Sequence, residues 1–179
     1  MGIDDKDIID AMKQCPDKGF RLLMKKYKEA IYWHIRRLVV SHADAQDATQ
    51  ETFVRVFRNY GQYDEIHSLT AWIFRIATNE ALRLLERIRQ EQLSLDVANP
   101  SIGGLLADSY VDYSDVESVR LQKAIQSLPS KQQITFNLRY YDELGYEEIA
   151  EVTDSTVAGA KMNYHLAKEK IIAYMNSQD

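Results

Sequence analysis

Cysteine is nearly absent from this chain. Cys15 stands alone among 179 residues, so no internal disulfide can form and no second thiol sits at metal-site spacing. It reads as an ordinary thiol rather than a ligand or nucleophile. Glycine occurs seven times and proline three, and none of these glycines builds a phosphate-cradling loop of the Walker type. The sequence also has no HExxH motif and no Glu-x-x-His pair of the kind that holds a carboxylate-bridged metal in a helical bundle. Asp44, Asp47 and Glu51 share a helix face, but of the four histidines only His42 is near them. The chain is therefore read as a non-enzyme, with no catalytic residue, no metal site, no cofactor and no small-molecule substrate. Long apolar runs are missing too. None approaches the ~18 residues that span a bilayer, and the opening MGIDDKDIID lacks the basic and apolar regions of a signal peptide. The expectation is a cytoplasmic protein with no direct membrane insertion.

An apolar share of 45% with 27% charged residues is ordinary for a globular protein, and the length suits one large or two small domains. The net charge of -5 is unevenly placed. Residues 1–92 hold 15 basic and 14 acidic groups, residues 93–118 hold none and five, and residues 119–179 hold seven and eight. The excess acid lies in the middle segment, as Asp96, Asp108, Asp112, Asp115 and Glu117, together with Pro100, Gly103, Gly104 and no sustained hydrophobic period. Such a composition describes a flexible acidic linker between two helical domains. Its charge fits either a solvated tether or a segment that lies on a basic surface in place of nucleic acid.

In the first domain, Phe20, Leu23, Tyr27, Ile31, Ile35 and Leu38 repeat at three and four residues after Asp17, which predicts one long amphipathic helix. Lys25, Lys26, Lys28, Arg36 and Arg37 are expected to solvate its outer side. Ser41 followed by Asp44 resembles a capping box and opens a second helix. Its core positions are Ala45, Ala48, Thr52, Phe53, Val56 and Phe57, while Asp47, Gln50, Glu51, Val54 and Arg55 spread over the outer face. A third helix follows Ser68, with Leu69, Trp72, Ile73, Ile76, Leu84 and Ile88 turned inward. Across its exposed side Arg75, Asn79, Arg83 and Arg87 recur every four residues, a strip that suits a phosphate backbone or an ordinary solvated face paired with Glu80 and Glu86. The preceding loop carries Tyr60, Tyr63 and His67, a mixture able to stack on and hydrogen-bond an unpaired base.

The second domain holds the stronger pattern. Val157, Ala160, Tyr164, Ala167, Ile171 and Tyr174 form one helical stripe, with Thr156, Gly159, Lys161, Asn163, Lys168 and Lys170 opposite. Before it, Tyr146, Ile149, Ala150 and Val152 mark a short helix that ends where Thr153, Asp154 and Ser155 break the period. A connection that short crosses two helices steeply and frees the N-terminal end of the second for a major groove. Asp154 falls where such turns often carry glycine, and Asp tolerates positive φ better than most residues. Ser155 or Thr156 is placed to cap the second helix. The spacing fits both a DNA reader and a helical hairpin with a solvated face.

Two modules in this order, DAQDATQETFVRVF with SLTAWIFRIATNEALRLLERIR and then LPSKQQITFNLRYYDELGYEEIAEV with its following helix, resemble the sigma-70 family of bacterial RNA polymerase sigma factors. More narrowly, they resemble the small extracytoplasmic-function (ECF) group, which has regions two and four but no long region three. The resemblance implies an all-α fold of two small helical domains, a region 2 bundle over residues 1–92 and a region 4 helix-turn-helix over residues 119–179, joined by the linker. It implies promoter-specific initiation with core RNA polymerase and promoter DNA, duplex and melted non-template strand, as partners, together with an anti-sigma factor. Polymerase contacts fall on Asp47, Gln50, Glu51 and Arg55. Recognition and melting of the minus-ten element fall on Tyr60, Tyr63, His67, Arg75, Asn79, Arg83 and Arg87. Reading of the minus-thirty-five element falls on Thr156, Ala158, Gly159, Lys161, Met162, Asn163 and His165.

The chain departs from the family where Asp154 replaces glycine, where Ala160 replaces a larger residue, and where basic residues are lacking near Asn163 and Leu166. Weak DNA binding without polymerase is the expected result. Ala48 and Thr49 likewise replace larger apolar residues in the polymerase-binding segment. Two other classes fit part of the pattern: a helix-turn-helix regulator with an unassigned first domain, and a signalling adaptor that mimics a sigma factor without initiating transcription.

Overall fold

The structure is a computed structural model that describes residues 2–39, 41–96 and 115–177. Side chains are described for these residues except 95 and 96. The chain divides into two compact units, Met1–Leu105 and Leu106–Asp179. Every regular element among the described residues is helical.

Unit 1 opens with α1 (Asp5–Gln14), which the sequence reading left unassigned. Ile8 and Met12, four residues apart, bury its inner face, and Pro16 begins α2 (Pro16–Leu38) at the first-turn position where a missing N–H costs nothing. Leu23, Tyr27, Ile31, Ile35 and Leu38 are buried along α2 as the period predicts, while Phe20 is half-buried. One charged position departs clearly from expectation. Arg36 is 3% exposed instead of solvated, and its guanidinium donates to the carbonyl of Val39 at 3.3 Å. The planar fork can satisfy a backbone acceptor past the helix end, which lets the stem pack inward.

Helix α3 (His42–Asn59) starts at Ser41, whose hydroxyl accepts the Asp44 N–H at 3.3 Å. Ala45, Ala48, Thr52, Phe53 and Val56 are buried. The hydroxyls of Thr49 and Thr52 donate to the carbonyls one turn back, each at 2.7 Å, so these buried polar atoms are satisfied within the helix. Phe57, assigned to the core, is 48% exposed, its ring lying edge-on to Phe20 at 5.0 Å. It ends the apolar stripe of α3, where the neighbouring helix offers one ring and no enclosing wall. A 3-10 turn (Tyr60–Gln62) follows, and then α4 (Leu69–Asp96), which Ser68 opens by accepting the Ala71 N–H at 3.3 Å. Leu69, Ala71, Ile73, Phe74, Ala77, Ala81 and Leu84 are buried. His34 is fully buried, with Nε2 2.8 Å from the Thr78 hydroxyl and its ring against Phe74.

The first turn of α1 gathers three elements on one carboxylate. Asp5 accepts from the Tyr27 hydroxyl at 2.5 Å, Lys26 Nζ at 2.7 Å and the Thr70 hydroxyl at 3.2 Å, joining α1, α2 and the start of α4.

Unit 2 consists of α5 (Val116–Gln126), α6 (Ser130–Tyr140), α7 (Tyr146–Thr153) and α8 (Val157–Asn176). Asp115 caps α5 by accepting the Glu117 N–H at 3.1 Å. Ala124, Ile125, Leu128, Phe136, Ala167 and Ile171 form one apolar cluster, with Leu121, Tyr141, Tyr164, Tyr174 and Met175 packed against it. Helix α4 continues to Asp96 and α5 begins at Val116, so both reach into the span 93–118 read as linker. Most of the linker, including Pro100, Gly103, Gly104, Asp108 and Asp112, lies outside the described residues.

The crossing of α1 over α2 rests on Gly19, where any Cβ would overlap the backbone nitrogen and Cα of Met12. Gly19→Ala is expected to destabilise unit 1 by about 1–3 kcal/mol, the usual cost of overpacking a close contact. A denaturation series followed by circular dichroism checks this. An unchanged midpoint would show that α1 is not held against α2 in solution.

Candidate nucleic-acid interface

Helices α7 and α8 meet through a turn of three residues, Asp154, Ser155 and Thr156. Asp154 adopts φ 50° and ψ 53°, the left-handed region that its sequence position implied. The following Ser155 N–H donates to the Ala150 carbonyl at 2.9 Å, closing the end of α7. Thr156, rather than Ser155, caps α8, its hydroxyl accepting the Gly159 N–H at 3.0 Å. At the other end of α7, Glu148 accepts the Gly145 N–H at 3.1 Å.

This turn presents the first two turns of α8 to solvent. Thr156, Ala158, Lys161, Met162 and His165 are exposed, and Gly159 and Asn163 are half-buried on the same end. His165 Nε2 lies 3.4 Å from Glu169, one turn along the same helix. Ala160, Ala167 and Ile171 are buried and Val157 is half-buried, so the stripe read from the sequence is the packed face. Arg139 and Tyr146, which the sequence did not mark for this surface, join it. The Arg139 guanidinium lies 4.8 Å and the Lys161 ammonium 5.7 Å from the centre of the Tyr146 ring. Such contacts contribute about 0.5–1 kcal/mol at an exposed site and hold both cations beside the end of α8. Tyr146 carried only an apolar signal in the sequence, and nothing in the spacing marks a ring shared by cations from two other helices.

In unit 1, Arg75, Asn79, Arg83 and Arg87 are all exposed along α4. Glu80 pairs with Arg83, with 2.5 Å between Oε1 and Nη1, while Glu86 turns away to Arg89 at 2.9 Å and Gln90 at 3.0 Å. Hydrogen bonds from Arg89 and Gln90 hold the Glu86 carboxyl below the usual range. Before α4, Tyr63 and Trp72 lie with ring centres 5.1 Å apart, and Tyr60 sits 5.9 Å from Tyr63 and 6.3 Å from Trp72. The Tyr63 hydroxyl donates to the His67 carbonyl at 2.7 Å, and Asp64 accepts the Ile66 N–H at 3.0 Å. These bonds close the loop on itself, with Ile66 86% exposed at its tip and His67 exposed beside it. Lys13 of α1 reaches the loop through Glu65 at 2.6 Å. Burial raises the Tyr60 phenol above its ordinary value, and the Glu65 charge adds to the effect. Tyr60, Tyr63 and His67 are thus brought together at one end of α4, with Trp72 as the third ring. The sequence reading had placed Trp72 only in the core, since its period matches the buried positions.

The residues proposed for polymerase lie on α3. Asp47, Gln50 and Glu51 are exposed and Arg55 is half-buried. Arg55 Nε is 2.6 Å from Glu80 and 3.2 Å from Glu51. An open groove of about 500 Å³ runs between α3 and α4, lined by Asp47, Glu51, Arg55, Glu80, Arg83 and Arg87.

An aromatic and basic face on one helical unit and a helix-turn-helix on a second define a helical protein built to hold nucleic acid. The family profile of Sigma-70 region 2 matches residues 23–91, and that of Sigma-70 region 4 matches residues 118–171. The chain belongs to the sigma-70 family, in its ECF group. It is 29% identical over 178 residues to the ECF RNA polymerase sigma factor SigW of Bacillus subtilis, covering 93% of this chain and 94% of that one. It is 27% identical over 176 residues to the ECF RNA polymerase sigma-E factor of Haemophilus influenzae, covering 93% of each. Among solved structures, CnrH in complex with the cytosolic domain of CnrY has a TM-score of 0.75 at 17% identity, covering 98% of this chain and 99% of that one. The sigma factor RpoE bound to the anti-sigma factor NepR, from Bartonella quintana, has a TM-score of 0.72 at 18% identity, covering 90% and 99%.

Trp72 offers a direct reading of the loop. With Trp33→Phe removing the only other indole, a single-stranded oligonucleotide is expected to quench Trp72 emission saturably, because a base that enters the cluster stacks beside it. Emission unchanged at saturating oligonucleotide would remove the loop from the DNA-binding surface.

Proposed function

We propose that this chain supplies promoter specificity to core RNA polymerase as an ECF sigma factor. The observation that carries the reading is the presence in one chain of both family regions, in order, each on its own unit. Residues 1–92 form the part that binds polymerase and melts the minus-ten element, residues 119–179 read the minus-thirty-five element, and residues 93–118 connect them. Asp47, Gln50, Glu51 and Arg55 meet the polymerase. Tyr60, Tyr63 and His67 receive an extruded base, with Arg75, Asn79, Arg83 and Arg87 along the strand. Thr156, Ala158, Gly159, Lys161, Met162, Asn163 and His165 face the upstream duplex.

The factor does no covalent chemistry. Binding the melted strand better than the duplex shifts the opening equilibrium by differential affinity alone. The place of action is the cytoplasm, where polymerase works. A protein anti-sigma factor is its regulator, by analogy with the sigma factor RpoE, solved in complex with the anti-sigma factor NepR.

Run-off transcription with purified core polymerase tests this directly. A transcript is expected from core enzyme and this chain alone. A regulator of the helix-turn-helix kind would need a separate sigma factor, and a sigma-mimicking adaptor would give none.

The two faces are expected to fail in different ways. Lys161→Ala should weaken closed-complex binding by roughly 1–3 kcal/mol if Lys161 reads a base edge, and the defect should shrink on templates without the upstream element. Asn79→Ala should leave upstream duplex binding nearly intact and reduce opening, with a pre-melted bubble restoring activity. Permanganate footprinting beside gel shifts, both with core polymerase, separates them. Normal opening by Asn79→Ala together with normal upstream binding by Lys161→Ala would show that neither face reads a promoter.

A further inference from the structure

Glu80 is buried, yet its carboxylate serves two arginines from different helices. One oxygen, Oε1, is 2.6 Å from Arg55 Nε of α3 and 2.5 Å from Arg83 Nη1 of α4. Arg55 also pairs with Glu51, whose Oε1 lies 3.2 Å from the same Nε; both contacts are ion pairs by distance, without hydrogen-bond geometry at Nε. The four side chains therefore form a relay from the exposed carboxylate of Glu51, through Arg55 and the buried Glu80, to the guanidinium of Arg83. Arg75 and Arg87 have no carboxylate partner among the described residues, so Arg83 is the one held member of the basic stripe on α4. The sequence reading saw Glu80 only as a local partner for that stripe. The reach across to α3 is a product of the fold.

We infer that Glu80 is a positioning residue that couples polymerase docking on α3 to phosphate binding by Arg83 on α4. The inference rests on the sigma reading of these two faces. A buried carboxylate must be neutralised, and either arginine can do it. In the free protein Arg55 is shared with Glu51, so Glu80 draws Arg83 inward. A cationic polymerase group that takes Glu51 leaves the Arg55 Nε to Glu80 alone, while the exposed part of the Arg55 side chain still meets the polymerase. The buried charge is then satisfied without Arg83, whose side chain is 60% exposed and free to swing to a phosphate. The consequence is a factor whose grip on single-stranded DNA is held back until polymerase is bound.

The test uses the full chain, alone and in complex with core polymerase, with a fluorescent single-stranded oligonucleotide at several salt concentrations. Glu80→Gln keeps the shape of the side chain and removes its charge. Glu51→Gln changes an exposed residue, tolerates folding, and delivers Arg55 to Glu80 without polymerase. Each is expected to tighten binding by the free chain about threefold or more and to steepen the salt dependence by about 0.7, the slope of one added phosphate contact on a single strand. Both gains should vanish when Arg83→Ala is added, which a merely structural role for Glu80 would not produce. With polymerase bound, Glu80→Gln should match the parent, because docking has already released Arg83.

If the parent binds polymerase and oligonucleotide, yet neither variant changes affinity or salt slope, the coupling is overturned and the sigma reading stands. A gain that survives Arg83→Ala overturns it equally. A parent chain that does not bind core polymerase overturns the sigma reading and the coupling with it.

Discussion

Helix α4 has 28 residues and must satisfy two opposite demands along its length, burial on one side and a basic strip on the other. What reconciles them is the packing of α4 on α3, in a unit whose buried positions include Ala45 and Ala48 of α3 and Ala77 and Ala81 of α4. Small side chains let helices approach closely, and the larger buried ones of unit 1, such as Ile73, Phe74 and Val56, contribute about 1.5–3 kcal/mol for each side chain removed from water. The close approach has an electrostatic consequence. It places Glu80 within reach of Arg55, so the apolar contact that fixes the bundle also joins the charges of its two outer faces.

Periodicity made the helices and most of the core legible, because α2, α3, α4 and α8 each have one neighbour-facing side and one solvent-facing side. The readings that failed did so where that division breaks down. Phe57 continues the period of α3 but stays 48% exposed, with the Phe20 ring edge-on against it. Arg36 occupies a polar position by type and a buried one by place, since a carbonyl three residues on accepts from it. Helix α1 is short, and its two buried apolar residues, Ile8 and Met12, give little periodic signal. Its identity as part of the bundle comes from Gly19 and from the Asp5 contacts with Tyr27 and Thr70, which are distant in sequence.

The candidate site was legible to different depths in its two halves. Around the helix-turn-helix, the signal is local. Asp154, Thr156 and Gly159 act within a few residues of one another, so capping and left-handed geometry can be read from order alone. The Tyr146 ring between Arg139 and Lys161 joins three helices and leaves no such trace. In unit 1 the exposed strip follows from a spacing of four. Which of its members is held and which are free depends on a carboxylate whose second partner lies on another helix.

These charges also explain how a chain with a net charge of -5 can bind nucleic acid. Electrostatic affinity for DNA follows the number of phosphates contacted, and each face here offers few unpaired cations. The recognition helix presents Lys161 beside Arg139, and the α4 stripe presents Arg75 and Arg87 with Arg83 tied to Glu80. Neither set is large enough to give strong non-specific binding, so acid elsewhere in the chain limits attachment to random DNA. Two weak sites on one chain gain greatly when a common scaffold makes the second contact intramolecular. For a promoter-specificity factor that arrangement assigns strength to the assembly and selectivity to the chain. On the proposed assignment of the two faces, the duplex reader and the single-strand reader each discriminate, and the scaffold supplies the proximity that turns their separate preferences into one binding event.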